Sequence, residues 1–127
     1  VNFSRGRAWA FWLGTPCPYC GDAMALGGRR HPSLEHMIPK SRGGLHVERN
    51  LLIVCVECNQ DKRDLTLPEW LRRLRRDGDP RAAVVEATMR AIAGAERPMA
   101  AFRTAAAREF DRGKRAGTGY VPKITVS

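Results

Sequence analysis

No run of this sequence approaches the ~20 apolar residues that a membrane-spanning helix needs, which leaves no candidate span. Acidic residues are also scarce: 13 Asp and Glu stand against 22 Lys and Arg in 127 residues, a formal charge of +9. The shortage is uneven, because nine basic and six acidic residues precede Leu65 whereas thirteen and seven follow it. Such an excess calls for a polyanionic partner, and nucleic acid fits it better than a membrane surface; the plainer alternative is a solvated basic surface with no ligand. A secretory leader is not visible either, since the apolar stretch from Trp9 to Leu13 is too short for a signal core and no small-residue cleavage site follows it. Cysteine is limited to four residues, with no fifth thiol left over. A reducing, cytoplasmic location is expected, or the host cytoplasm for a phage-encoded chain, and there disulfides are disfavoured.

The four thiols that are present fall as two C-x-x-C pairs, Cys17/Cys20 and Cys55/Cys58. Cys17-Pro18-Tyr19-Cys20-Gly21 reads as a knuckle whose tight turn aims backbone amides at sulfur, and Cys55-Val56-Glu57-Cys58 is its partner. Four thiolates would close a tetrahedral shell around Zn2+ with no position left for substrate, so this metal is expected to be structural. A chain of this length suits one domain with a modest core. We expect an α+β fold, with residues 1–65 forming an N-terminal helix and a zinc-bound core, and residues 66–127 forming a basic helical extension packed on that core.

Local signals fill in the elements. Ser4 can cap a short helix through about Leu13, with Ala8, Phe11 and Trp12 on one face, before Gly14 and Pro16 stop it. The apolar run Leu51 to Val54 predicts a buried strand, paired as a hairpin with an earlier strand near Leu34 to His36 and feeding a helix that begins near Cys55 or Val56. Between the strands, Gly43-Gly44 allows loop geometry that other residues resist. Thr66 and Glu69 form a capping-box pattern ahead of Leu67, Trp70, Leu71 and Leu74 at helical spacing. Asp79-Pro80 caps a further helix through Val84, Val85, Thr88, Met89 and Ile92 to about Gly94, and Pro98 opens another with Met99, Phe102, Ala106 and Phe110 on one side. The segment Tyr120 to Val126 could dock as an extended edge.

The chemistry is expected where the hairpin meets its helix. His36, a neutral imidazole at physiological pH, is suited to take a proton from water as general base. Glu35 and the side-chain oxygen of Asn59 would offer two hard oxygen ligands to an exchangeable cation, which suits Mg2+ or Mn2+, with Ni2+ a substitute in vitro. Asn50 can bridge backbone groups of the loop and so hold His36 in place. Lys40, Arg42, Lys62 and Arg63 are expected to meet phosphates. Arg72, Arg73 and Arg76, with Arg75, could lie along a nucleic-acid backbone or form an ordinary exposed helical face. His31 and His46 could touch DNA, or be loop histidines without a metal role.

Taken together, Leu34-Glu35-His36-Met37-Ile38-Pro39-Lys40-Ser41-Arg42-Gly43-Gly44, then Asn50-Leu51, then Cys55-Val56-Glu57-Cys58-Asn59-Gln60-Asp61-Lys62, resembles an HNH endonuclease with asparagine at the third signature position and a four-cysteine zinc site. The resemblance covers about Cys17 to Asp64. It implies the ββα-metal fold and a phage or bacterial-type DNA-cutting enzyme, with His36 as base, Asn50 as the loop-holding residue, and Glu35 and Asn59 as ligands of the catalytic cation. One catalytic unit per chain implies nicking of a single strand. Glu35 departs from the family's commoner aspartate by one methylene, which bears on metal position. The resemblance does not reach residues 66–127, for which a DNA-gripping extension, a homodimer surface, or a docking site for phage packaging machinery are the alternatives. Other readings of the whole are a non-catalytic zinc-stabilised DNA-binding module and an RNA-directed nuclease.

Overall fold

Leu51-Leu52-Ile53-Val54-Cys55 form strand β2 (Leu51–Cys55), and all five residues are buried. The run shows no alternation because neither of its faces meets water. The computed structural model describes residues 8–115, with side chains described from Ala10 to Glu109. Strand β1 (Pro32–His36) pairs antiparallel with β2, Pro32 opposite Cys55 and His36 opposite Leu51. Helix α1 (Val56–Lys62) follows β2 directly. Hairpin and helix therefore form as expected, in an α+β fold consistent with the ββα-metal architecture.

Ahead of the hairpin, a 3-10 helix (Ala8–Trp12) leads into the first cysteine knuckle. Trp12 is buried but Phe11 is 72% exposed, which corrects the expectation that both line one apolar face. In the tighter 3-10 winding, adjacent residues diverge by about a third of a turn, so only one of them can face the core. Ser4 lies outside the described residues. In the knuckle, Gly21 N–H donates to Cys17 O at 2.8 Å, and Gly21 takes a φ of 79°, where a side chain would be strained.

Three further helices follow among the described residues: α2 (Leu67–Arg76), α3 (Arg81–Ile92) and α4 (Pro98–Arg115). Thr66 caps α2 in a full capping box with Glu69, and Leu67, Trp70, Leu71 and Leu74 are buried as their spacing requires. Helix α3 starts one residue after Pro80, with Asp79 Oδ1 accepting from Arg81 N–H at 2.9 Å. In α4, Phe102 is fully buried, while the side chains of Phe110 and Arg112 and the whole of Tyr120 to Val126 lie outside the described residues. One hydrophobic cluster runs from Trp12 and Tyr19 through β2 to Trp70, Val85 and Phe102. Helix α3 also grips the knuckle, with the Thr88 hydroxyl donating to Pro18 O at 2.6 Å. No helix among the described residues is long and apolar enough to cross a membrane.

Candidate active site and metal centre

The two cysteine pairs meet between the knuckle and the junction of β2 with α1. Their four Sγ atoms all lie within 4.8 Å of one another, and Cys20 and Cys55 are 3.9 Å apart. Zn–S bonds of ~2.3 Å imply a tetrahedral edge of roughly 3.8 Å, so the donor set fits a structural Zn2+. Amides already point at sulfur: Tyr19 N–H and Cys55 N–H approach Cys17 Sγ at 3.4 and 3.3 Å. Two guanidiniums flank the cluster, Arg30 at 3.5 Å from Cys55 Sγ and Arg81 at 3.8 Å from Cys58 Sγ. Burial works against the charge on Arg30, but Cys20, Cys55 and Asp22 outweigh it and raise its pKa. Arg81 is raised chiefly by its bonds to Asp79 and then by Cys58. Four thiolates around a dication leave two negative charges, which these cations can balance.

The hairpin places the remaining groups. Glu35 is buried at 3% exposure, while His36 beside it, at the end of β1, is half-buried. Asn50, at the foot of β2, accepts from Ile38 N–H through Oδ1 at 2.8 Å and donates through Nδ2 to Ile38 O and Leu45 O at 3.0 and 2.9 Å. Those bonds close the loop between the strands. Gly44 belongs to the same closure, because a Cβ there would sit 1.7 Å from Ile38 O. The loop turns His46 back on the strand end, its Nδ1 at 3.1 Å from His36 Nε2. Burial, then the nearby Lys40, His46 and Lys62, hold the His36 imidazole below its ordinary pKa.

Glu35, His36 and Asn59 line a single cleft of about 310 Å³, with Lys40, Ser41, Arg63 and Asp64 also on its walls. Asn59, on α1, donates through Nδ2 to Ser33 Oγ at 3.1 Å and to Leu34 O at 3.0 Å, which orients its amide against β1. The carboxylate of Glu35 accepts from the Tyr19 hydroxyl at 2.8 Å and pairs with Lys62 Nζ at 3.0 Å, both on Oε2. Burial raises the Glu35 pKa against the pull of these two partners. Burial likewise raises that of Tyr19, with the neighbouring carboxylate adding to it, so the phenol stays a donor. A carboxylate and an amide oxygen are hard donors, of the kind a divalent cation of the magnesium type takes.

Lys62 is the clearest correction. The sequence places it at a phosphate, but it is fully buried, and its ammonium also reaches His36 O and Met37 O at 3.3 and 3.0 Å. One helical turn beyond Asn59, it points the same way as Asn59, into β1 rather than to solvent. Lys40, Arg42 and Arg63 are exposed; Arg42 pairs with Glu69 at 2.9 Å, and Arg63 adopts φ 52° at the end of α1. Arg72 and Arg76 are exposed on α2, whereas Arg73 is drawn to Asp61 beside Arg81. Arg75 pairs with Glu86 of α3. The partners of Glu35 were not legible in sequence: Tyr19 read as a knuckle residue and Lys62 as a surface cation, and only the folded hairpin brings them to one oxygen.

The HNH endonuclease family model matches residues 17–65. No curated protein and no solved structure is matched by this chain. The matched stretch contains both strands, helix α1 and all four cysteines, and over residues 17–65 the chain is similar to the HNH endonuclease family.

Proposed function

We propose that the protein is a metal-dependent DNA endonuclease that hydrolyses phosphodiester bonds and nicks one strand per chain. The observation that supports this most is the convergence of His36, Glu35 and Asn59 on one cleft whose walls also carry Lys40 and Arg63. His36, whose pKa is lowered by burial and the nearby cations, takes the proton from the attacking water. In the tautomer in which His36 Nε2–H donates to His46 Nδ1, it is His36 Nδ1 that takes that proton. Asn50 holds the loop, and hence the imidazole, through its three bonds. Lys40 and Arg63 receive phosphates at the cleft wall. Glu35 and Asn59 would hold a Mg2+ or Mn2+ ion, and the chemistry that ion would supply is Lewis-acid stabilisation of charge on the leaving 3′ oxygen, on the order of several kcal/mol.

The test is a supercoiled-plasmid assay with Mg2+, Mn2+ and Ni2+, run beside His36→Ala. The wild type converts supercoiled to open-circular DNA, and the variant binds the plasmid without nicking it. Nicking by a clean preparation of His36→Ala removes the assigned base. The ion pair between Glu35 and Lys62 favours a second reading, a zinc-stabilised DNA-binding module in which the lysine rather than a divalent cation neutralises the carboxylate. That reading gives salt-sensitive binding and no nick with any of the three metals.

A further inference from the structure

Between Cys17 and Cys20 the chain has almost no freedom. Tyr19 N–H points at Cys17 Sγ from 3.4 Å, Gly21 N–H closes the turn on Cys17 O, and the Tyr19 ring is fully buried, edge-on to Trp70 at 5.1 Å between centroids. A ring held at both its backbone and its faces gives its hydroxyl one position. That hydroxyl lies 2.8 Å from Glu35 Oε2, sixteen residues away on β1. Glu35 needs such bracing, because a glutamate has three side-chain torsions and a buried carboxylate that swings loses its partners. Lys62 Nζ, at 3.0 Å, meets the same oxygen. Both donors meet Oε2 and so fix the carboxylate of Glu35 beside the cleft that it lines with His36 and Asn59.

We propose that Tyr19 is a positioning residue for the exchangeable cation: its hydroxyl, mounted on the four-thiolate corner, orients Glu35 so that the integrity of the zinc knuckle is transmitted to the second metal site. This rests on Glu35 being a ligand of that cation, as proposed above. The two sites then form a series. Zinc holds the knuckle, the knuckle holds the phenol, and the phenol holds the carboxylate. Side chains that orient a ligand in this way typically change metal affinity by about 10- to 100-fold when removed.

The experiment compares Mn2+ binding to the zinc-loaded full chain for wild type, Tyr19→Phe and Glu35→Ala, from the loss of the free-ion electron paramagnetic resonance signal, with zinc content measured in parallel. Phenylalanine keeps the packing on Trp70 and the backbone amide to Cys17, and removes only the hydroxyl. The expected result is one zinc per chain in all three, Mn2+ affinity weakened about tenfold in Tyr19→Phe, and no further weakening when Tyr19→Phe is added to Glu35→Ala. Equal Mn2+ affinity in wild type and Tyr19→Phe overturns the positioning role while leaving the cation site intact. A Tyr19→Phe chain that cannot hold zinc shows the hydroxyl to be a support of the knuckle, and overturns it too. A wild type that takes up no Mn2+ removes the cation site itself, and the inference with it.

Discussion

Asn50 is 6% exposed, and its amide makes three bonds to the backbone of the loop that carries His46 and begins just after His36. No other side chain does this with the same length: an acceptor for Ile38 N–H and donors for two carbonyls must sit on one short planar group. Replacing Asn50 with Asp keeps the acceptor but turns the donors into a second acceptor facing two carbonyl oxygens. We expect Asn50→Asp to lose roughly 1–3 kcal/mol of stability, the cost of buried polar groups left unpaired, and to nick plasmid far more slowly than wild type. Urea unfolding with an unchanged slope, read beside the plasmid assay, checks both. A variant as stable as wild type would mean that the loop does not depend on this amide. The carbonyls it serves cannot be reached by substituting the glycine beside them, because any Cβ at Gly44 collides with Ile38 O.

At the scale of one element, helix α2 begins on a charged device. Glu69 accepts from Thr66 N–H at 2.9 Å and pairs with Arg42 across the loop, and these partners lower its pKa from 4.5 to about 2. The first cause is the Thr66 backbone bond, followed by Arg42. A depressed carboxylate stabilises the fold above its unfolded value and ceases to do so as pH falls through its folded value. The contribution is therefore complete above 4.5 and disappears on descending to about 2. Glu69→Gln keeps a capping residue without the charge. Its thermal midpoint is expected to lie below that of wild type at neutral pH, and the gap should close across that window. Protonation of the thiolates affects both proteins alike and drops out of the difference. A gap that stays constant down to the lowest pH would show that the carboxylate's charge adds nothing. The capping box was legible because its partners are three residues apart; the pairing of Glu69 with Arg42, 27 residues away, was not.

For the molecule as a whole, the four-thiolate corner lies within the same hydrophobic cluster that reaches Trp70, Val85 and Phe102. Arg81 and Thr88 of α3 add polar contacts to that corner, the one at Cys58 Sγ and the other at Pro18 O. Stripping zinc from the chain with a thiol-competitive chelator is accordingly expected to melt the helices together with the hairpin, in one cooperative transition seen by far-ultraviolet circular dichroism. Helices that keep their signal after the metal is gone would show that the core stands without its tie.

Short-range relations were determined by the sequence alone. Two C-x-x-C spacings, an apolar run too short for anything but a strand or buried turn, a capping box, and the order of His36, Asn50 and Asn59 are all properties of neighbours along the chain, and each carries its own physics. Tertiary structure alone decided which charged groups are inside. Lys62 and Arg63 are adjacent and chemically alike, yet one is fully buried against Glu35 and the other exposed at the cleft. Phe11 and Trp12 divide in the same way. Whether a residue faces in or out depends on the phase of a short helix against a partner distant in sequence, and a buried charge is tolerated only where that partner supplies the opposite one.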